Sequence, residues 1–251
     1  MSPTAIVTPA DPDSFPSDED FLLSVIVPVY NEVRTIDLLL EKVRRSPVRK
    51  EIIVIDGASE DGTAEKLREQ ERFDDTTVIY QSVRRGRGNA LKVGMKQCTG
   101  HVIIFQDADL ELDPDDYPGL LAPIKNGEAD VVFGSRFLSG KPKMTFLQYW
   151  GNRVINIAVN TLYAPELRGQ RLTDVETCYQ VFRRRCLKGL RVENNHFAFT
   201  VELTARFIMK RHRIVEIPIR YFPRGKTEGK KIYWGDGVAS LWTLVKVRFG
   251  K

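Results

Sequence analysis

Short, β-branched apolar runs recur along the first half of this sequence, and each one closes on polar residues. The first is Leu22-Leu23-Ser24-Val25-Ile26-Val27-Pro28, and Glu51-Ile52-Ile53-Val54-Ile55-Asp56 repeats it. Segments 77–81, 101–106 and 130–134 have the same character. Runs that stay apolar rather than alternating suit strands buried on both faces of a parallel sheet. Helix-period stretches at 33–45, 63–72, 89–98 and 114–125 separate them. Strand and helix alternating over short connections predict an α/β fold, a mostly parallel, Rossmann-like sheet with helices on both faces. A sixth strand is expected at 175–182 and a seventh at 214–221.

In such sheets ligands sit beyond the carboxyl ends of the strands. The residues there are polar: Tyr30-Asn31-Glu32 after the first run, Asp56-Gly57-Ala58-Ser59 after the second, and Asp107-Ala108-Asp109-Leu110-Glu111 after the fourth. Acids at i and i+2 closing a buried strand are costly to desolvate alone, and a hard divalent cation shared with a diphosphate would partner them. Glu111 adds a third carboxylate. Solvated turn acids before Pro114 are the plain alternative. Arg84-Arg85-Gly86-Arg87-Gly88-Asn89-Ala90 opens a helix with glycine and cations and could approach phosphate oxygens, although it is not a dinucleotide fingerprint. In Asp56-Gly57-Ala58-Ser59-Glu60-Asp61-Gly62-Thr63, Ser59 or Asp61 can cap the following helix, which leaves Asp56 to face the cleft.

Composition narrows the class. At 251 residues, with 42% hydrophobic and 28% charged, the chain suits a folded globular domain. The expected division is a disordered leader at 1–20, where Pro3, Pro9, Pro12 and Pro16 lie among acids and serines, and a single domain at 21–251. Three cysteines without CxxC spacing argue against a disulfide framework or a zinc site, and a cytoplasmic setting fits. No apolar run approaches the length of a membrane span. The net charge of +5 gathers near Arg84–Arg87, 183–188 and 224–231 and could meet phosphates of several kinds. A nucleic-acid-binding domain would interleave such cations with aromatics and has no need of carboxylates at strand ends, so no nucleic-acid partner is expected.

Taken in order, these strings resemble family 2 of the glycosyltransferases, in particular the polyprenyl-phosphate (dolichyl-phosphate) mannosyl- and glucosyltransferases. The resemblance runs over residues 22–249. It is carried by Val27-Pro28-Val29-Tyr30-Asn31-Glu32, Ile55-Asp56-Gly57-Ala58-Ser59-Glu60-Asp61-Gly62-Thr63, Gly86-Arg87-Gly88-Asn89-Ala90 and Asp107-Ala108-Asp109-Leu110-Glu111, and further on by Gly134-Ser135-Arg136, Leu172-Thr173-Asp174-Val175-Glu176-Thr177-Cys178-Tyr179 and Tyr221-Phe222-Pro223-Arg224. It implies a GT-A fold and an inverting transfer of a hexose, mannose or glucose, from a nucleoside-diphosphate sugar to a polyprenyl phosphate. By that resemblance Pro28, Tyr30, Glu32 and Asp56 line the base and ribose pocket, and Arg87 belongs to the donor site. Asp107, Asp109 and Glu111 hold Mg2+ or Mn2+. Arg136 meets the acceptor phosphate, Arg153 matches a second such arginine, and Arg224 and Lys226 open a basic loop that closes over the donor phosphates. The chain departs from the family at Gly57, where many relatives have a second acid, and at Arg87, where lysine is commoner.

A phosphate monoester is ionised at neutral pH and attacks without a general base, so this acceptor asks for cations rather than a carboxylate. A sugar hydroxyl acceptor on the same fold would need a base, with Asp174 or Glu176 as candidates on one face of the sixth strand. A catalytically silent nucleotide-sugar binder is a further alternative. Glu202, in an apolar stretch, needs a buried partner if it faces inward. The C-terminal stretch carries Trp234, Val238, Leu241, Trp242, Val245 and Phe249 at helical spacing, with Lys246, Arg248 and Lys251 nearby. That amphipathic helix either packs on the domain or, like the stretch at 146–163, lies peripherally on the cytoplasmic face of a membrane.

Overall fold

The computed structural model describes residues 15–17, 19–224 and 234–250. Most of the leader, and the basic loop from Gly225 through Lys226 to Lys231, lie outside them. The elements run β1 (Leu23–Val29), α1 (Ile36–Arg45), β2 (Lys50–Asp56), α2 (Thr63–Gln70), β3 (Thr76–Tyr80), α3 (Arg87–Gln97), β4 (Val102–Phe105), α4 (Tyr117–Lys125) and β5 (Val131–Ser135). Then come α5 (Phe146–Leu162), the short α6 (Ala164–Leu167), β6 (Gln180–Arg183), α7 (Phe199–Met209), β7 (Ile214–Pro218) and α8 (Trp234–Phe249).

The strands form one seven-stranded sheet in the order β3-β2-β1-β4-β6-β5-β7. Only β6 is antiparallel to its neighbours. The apolar runs bury both faces of the sheet: Ile26, Ile55, Ile103 and Phe105 join one core with α3, α5, α7 and α8, while Val25, Val27, Val54 and Ile104 join the other with α1, α2 and α4. No helix among the described residues is long and apolar enough to cross a membrane.

Two expectations change. The sixth strand is short, because 172–179 is irregular: the amides of Thr173 and Asp174 donate to the Glu216 carboxylate and that of Val175 to Asn156, where a ladder would have used them. Asp174 and Glu176 therefore do not share a strand face. In the loop after β2, Gly62 occupies the N-cap position of α2, and Asp61 rather than Ser59 makes the capping contact, accepting the amide of Thr63 at 3.0 Å. Ser59, Asp61 and Thr63 reach across to accept the amides of Asn31, Val33 and Glu32, tying the loop after β1 to the loop after β2.

Candidate active site

The cleft exists because β1 outruns β4. Their pairing stops at Ile26 and Phe105, so the last residues of β1 have a partner on the β2 side alone. Proline lacks an N–H and is tolerated where no ladder bond is required, which suits Pro28 to this overhang. It is also the point where the chain's strand order reverses direction from β1, the place such sheets open to ligands. The backbone is strained here. Asn31, Ala58 and Leu110 take φ of 56°, 64° and 61° without being glycine, and they follow β1, β2 and β4 respectively. Each such residue costs on the order of 1–3 kcal/mol and persists where the surroundings impose it.

A cavity of ≈ 290 Å³ fills the overhang, lined in part by Pro28, Tyr30, Gly57, Arg84, Arg87, Asp107 and Asp109. Arg84 lies over the Tyr30 ring, 4.2 Å from its centroid. Arg87, at the first turn of α3, donates from Nε to Asp107 at 2.8 Å and from Nη1 to the Thr200 hydroxyl at 3.1 Å. Its Nη2 is buried without a partner. A buried guanidinium nitrogen left unpaired asks for an acceptor oxygen. The glycines beside it admit close packing, and Gly86 also lines the cavity. A Cβ on Gly86 would meet Asn195 O and His196 Nδ1 at 2.5 Å, and one on Gly88 would meet Phe199 at 2.6 Å. The 193–195 turn they rest on is held by Glu202, which accepts the Glu193 and Asn194 amides and pairs with Arg206; these are the buried partners its position demanded.

Burial and the neighbouring charges of Asp107 and Glu111 push the Asp109 carboxyl up to about 7, against the pull of the Glu111 amide and Arg224. A carboxyl so displaced sits in a site short of positive charge. All-oxygen donors in that setting fit a hard divalent cation, with Asp107 and Asp109 as holders. Glu111 accepts the Arg224 amide at 3.2 Å, and no three His, Cys, Asp or Glu side chains among the described residues converge as a ready-made cage. Arg224 and Glu32 engage one another, through Nη1 at 2.9 Å and Nη2 at 2.5 Å, and Arg224 Nε donates to the Asp109 carbonyl. Glu32 lines both the first cavity and a second of ≈ 520 Å³, which Arg224 lines together with Asn31, Arg34, Asp61, Leu110 and Phe222 among others. Asp56 is buried and accepts the Ser59 amide at 3.2 Å, the work of a turn residue. Lys226 lies outside the described residues.

Arg136 follows β5. Its Nε and Nη2 donate to the two oxygens of Asp174, each at 2.7 Å, its amide donates to the same carboxylate, and Nη2 also reaches Asn152 on α5 at 3.1 Å. Asp174 is thus the partner of an arginine, and a proton-accepting role would have to break that fork. Arg153, one residue along α5 from Asn152, is exposed and lies 5.9 Å from the ring centroids of both Phe137 and Tyr149.

Several residues were not legible as site residues. Gln106 fixes the exit of β4: its side-chain amide donates to the Asp107 carbonyl, and its oxygen accepts the hydroxyls of Tyr117 and Tyr179. Burial and the charge of Asp107 push the Cys178 thiol well above the usual range, against the pull of Arg87 and Arg136. Glu216, on β7, holds the 173–174 turn from which Asp174 projects. The only local hint was Thr173-Asp174-x-x-Thr177, a string of side chains that compete with ladder bonding.

The profile described as Glycosyl transferase family 2 matches residues 24–191, which span every strand from β1 to β6. The chain belongs to this family. Relatives include the undecaprenyl-phosphate mannosyltransferase of Micrococcus luteus, 28% identical over 244 residues, 90% of this chain and 98% of that protein. The dolichol-phosphate mannosyltransferase of Pyrococcus furiosus is 29% identical over 83% of this chain and 58% of its own length. The polyprenol monophosphomannose synthase of Mycolicibacterium smegmatis is 28% identical over 80% of this chain and 77% of that one. Among solved structures, glucosyl-3-phosphoglycerate synthase from Mycobacterium tuberculosis, in complex with Mn2+, uridine diphosphate and phosphoglyceric acid, superposes with a TM-score of 0.71 at 19% identity, covering 92% of this chain and 80% of that one. That likeness is one of fold, and the family member described here has the GT-A architecture.

Proposed function

We propose that this glycosyltransferase moves a hexose from a nucleoside-diphosphate sugar to a polyprenyl phosphate, inverting the anomeric carbon. The observation that carries the reading is the division of the site between two arginines on different elements, Arg87 at the start of α3 and Arg136 just after β5. Arg87 offers an unpaired, buried nitrogen beside Asp107 and Asp109, as a diphosphate accompanied by a cation requires. Arg136 stands after β5, fixed by Asp174 and Asn152, where an anionic acceptor needs a donor but no base. The names of the relatives support a polyprenyl-phosphate acceptor.

Asp107 and Asp109 would hold Mg2+ or Mn2+, which when bound neutralises charge developing on the departing nucleoside diphosphate. Arg87, which lines the cavity, would meet a diphosphate oxygen while its Nε keeps Asp107 in place. Pro28 and Tyr30 wall the cavity on the nucleoside side. Arg136 orients the acceptor phosphate, whose ionised oxygen attacks the anomeric carbon opposite the leaving group, so no side chain moves a proton in that step. A sugar hydroxyl would need a base, and the three bonds from Arg136 already occupy Asp174. The test is a panel of labelled nucleotide sugars with a short polyprenyl phosphate, with and without Mg2+ or Mn2+, scored for lipid-extractable label. Labelled product that appears only with added metal is expected. Transfer to sugar hydroxyls and none to polyprenyl phosphate would overturn the reading.

A further inference from the structure

The register of the edge strand places Glu216. β7 runs parallel to β5, with Glu216 beside Phe133. Along β7, Val215 and Ile217 pack with the core that holds α1, α2 and α4, while Ile214 joins the core that holds α5 and α7. Side chains alternate across a strand, so Glu216 points with Ile214 to the α5 side. There its carboxylate accepts the Thr173 amide through both oxygens, at 2.9 and 2.8 Å, the Asp174 amide at 2.9 Å and the Thr173 hydroxyl at 3.0 Å. Burial pushes its carboxyl up, with a smaller push from Asp174, against the pull of these donors. A partly buried carboxylate beside another carboxylate is a costly way to hold a turn. It offers acceptors alone to two consecutive N–H groups, which a side-chain amide cannot do.

Two routes lead from Glu216 to Arg136. The first passes through Asp174, whose amide Glu216 holds and whose carboxylate receives the Arg136 fork. The second passes through the Thr173 hydroxyl, 2.7 Å from that of Ser135, whose Oγ accepts the Phe137 amide at 3.2 Å; the backbone is thereby held on both sides of Arg136. α5 grips the far side of the same turn with asparagines spaced four residues apart. Asn152 accepts from Arg136, Asn156 donates to the Thr173 carbonyl and accepts the Val175 amide, and Asn160 bonds both the amide and the carbonyl of Leu172. Neither Glu216 nor its partners Thr173 and Asp174 line the donor cavity.

We propose that Glu216 is a positioning residue for the transfer: from the edge strand it sets the 173–174 turn so that Asp174 presents Arg136 to the acceptor phosphate. This rests on the reading of Arg136 as the acceptor's arginine. A displaced fork leaves the nucleophile off line, and a misplacement of about 1 Å costs on the order of 10²-fold in rate.

Steady-state kinetics of the full chain, with donor and acceptor varied in turn, tests this. Glu216→Gln keeps the size of the side chain but sets a donor against the two amides. Acceptor kcat/KM falls by about 10²-fold, and donor KM stays within about twofold of wild type. Gln170→Ala, which frees the Ile214 carbonyl on the same strand, changes neither. In an Arg136→Lys background, where one ammonium cannot complete the fork, Glu216→Gln lowers acceptor kcat/KM by less than about twofold further, because its effect runs through Arg136. Donor KM raised as much as acceptor KM, or the full loss added again in the Arg136→Lys background, makes Glu216 a general support of the fold and overturns the inference. Unchanged acceptor kinetics for Glu216→Gln, beside a loss for Arg136→Lys, also overturns it and leaves the acceptor reading intact. Arg136→Lys that raises only the donor KM sinks that reading and the inference with it. Should Glu216→Gln not fold, Thr173→Val decides, since it cuts the hydroxyl link between Glu216 and Ser135 and leaves the amides. Acceptor KM raised by about threefold or more at unchanged donor KM supports the inference, and no change in either overturns it.

Discussion

Replacing Asp174 with Asn tests the acceptor half of the site most directly. The Asp174 side chain is fully buried and that of Arg136 is 11% exposed, so the substitution leaves a nearly buried guanidinium with an amide in place of its counter-charge. Breaking such a pair from one side costs about 3–5 kcal/mol, and the bond to Asn152 that Arg136 retains places this case near about 3. For a chain of this size about 1 kcal/mol moves the melting temperature by about 2–4 °C, so a fall of roughly 6–12 °C is expected by differential scanning calorimetry. Transfer to polyprenyl phosphate should drop through a raised acceptor KM and a lower kcat, with the donor KM unchanged, because Arg136 loses its orientation. The double variant Arg136→Met/Asp174→Leu separates fold from chemistry. Replacing a buried pair by apolar residues is often neutral, so stability should recover to within about 1 kcal/mol of wild type while transfer stays lost. A melting temperature within about 2 °C of wild type for Asp174→Asn would refute the buried-pair argument. If Arg136→Ala keeps transfer while Asp174→Asn abolishes it, Asp174 is a base and the acceptor a hydroxyl.

Asp109→Asn should reduce transfer by about 10³-fold or more without lowering the melting temperature, since it removes one of three crowded acids; full activity in this variant, or in wild type freed of metal by chelator, would contradict the assignment. Arg87→Lys should raise the donor KM by about tenfold, because one ammonium cannot hold Asp107, Thr200 and a phosphate oxygen together; steady-state kinetics with unchanged donor KM would remove Arg87 from the donor site. Away from the site, Asp130 is pushed up by burial but drawn down to about 2 by hydrogen bonds from Arg213 and Arg185. A folded pKa below the ordinary value stabilises above about pH 4 and is lost as pH falls through about 2, worth at most about 2 kcal/mol because both arginines are partly exposed. Urea unfolding of wild type and Asp130→Asn should differ at pH 7 and converge near pH 2, and a gap that persists in acid would show that the carboxylate's charge is not its cause.

The parallel half of the fold was legible because each strand carried its own signal, a continuous apolar run closing on a polar turn. The place of Asp107 and Asp109 at a strand exit beside the cavity was legible for the same reason, since they follow such a run. The bridge from Glu32 to Arg224 had no local signal, being an encounter between residues far apart in sequence. That Gly86 and Gly88 also admit the 193–195 turn was not legible, because a glycine's packing depends on what lies opposite it. The hardest segment was 172–183, whose apolar character suggested a longer strand and whose direction no local pattern encodes. Yet this segment joins the two halves of the site. β6 lies between β4, which leads into Asp107, and β5, which leads into Arg136. The residues leading into it and its first residue make bonds to their surroundings: Asp174 to Arg136, the Tyr179 hydroxyl to Gln106, and Gln180 to Thr204. A direct displacement works only if nucleophile and leaving group are held at a fixed separation. On the proposed reading that separation would be set across β6, so the stretch least like a regular strand in sequence is the one on which the alignment of donor and acceptor would depend.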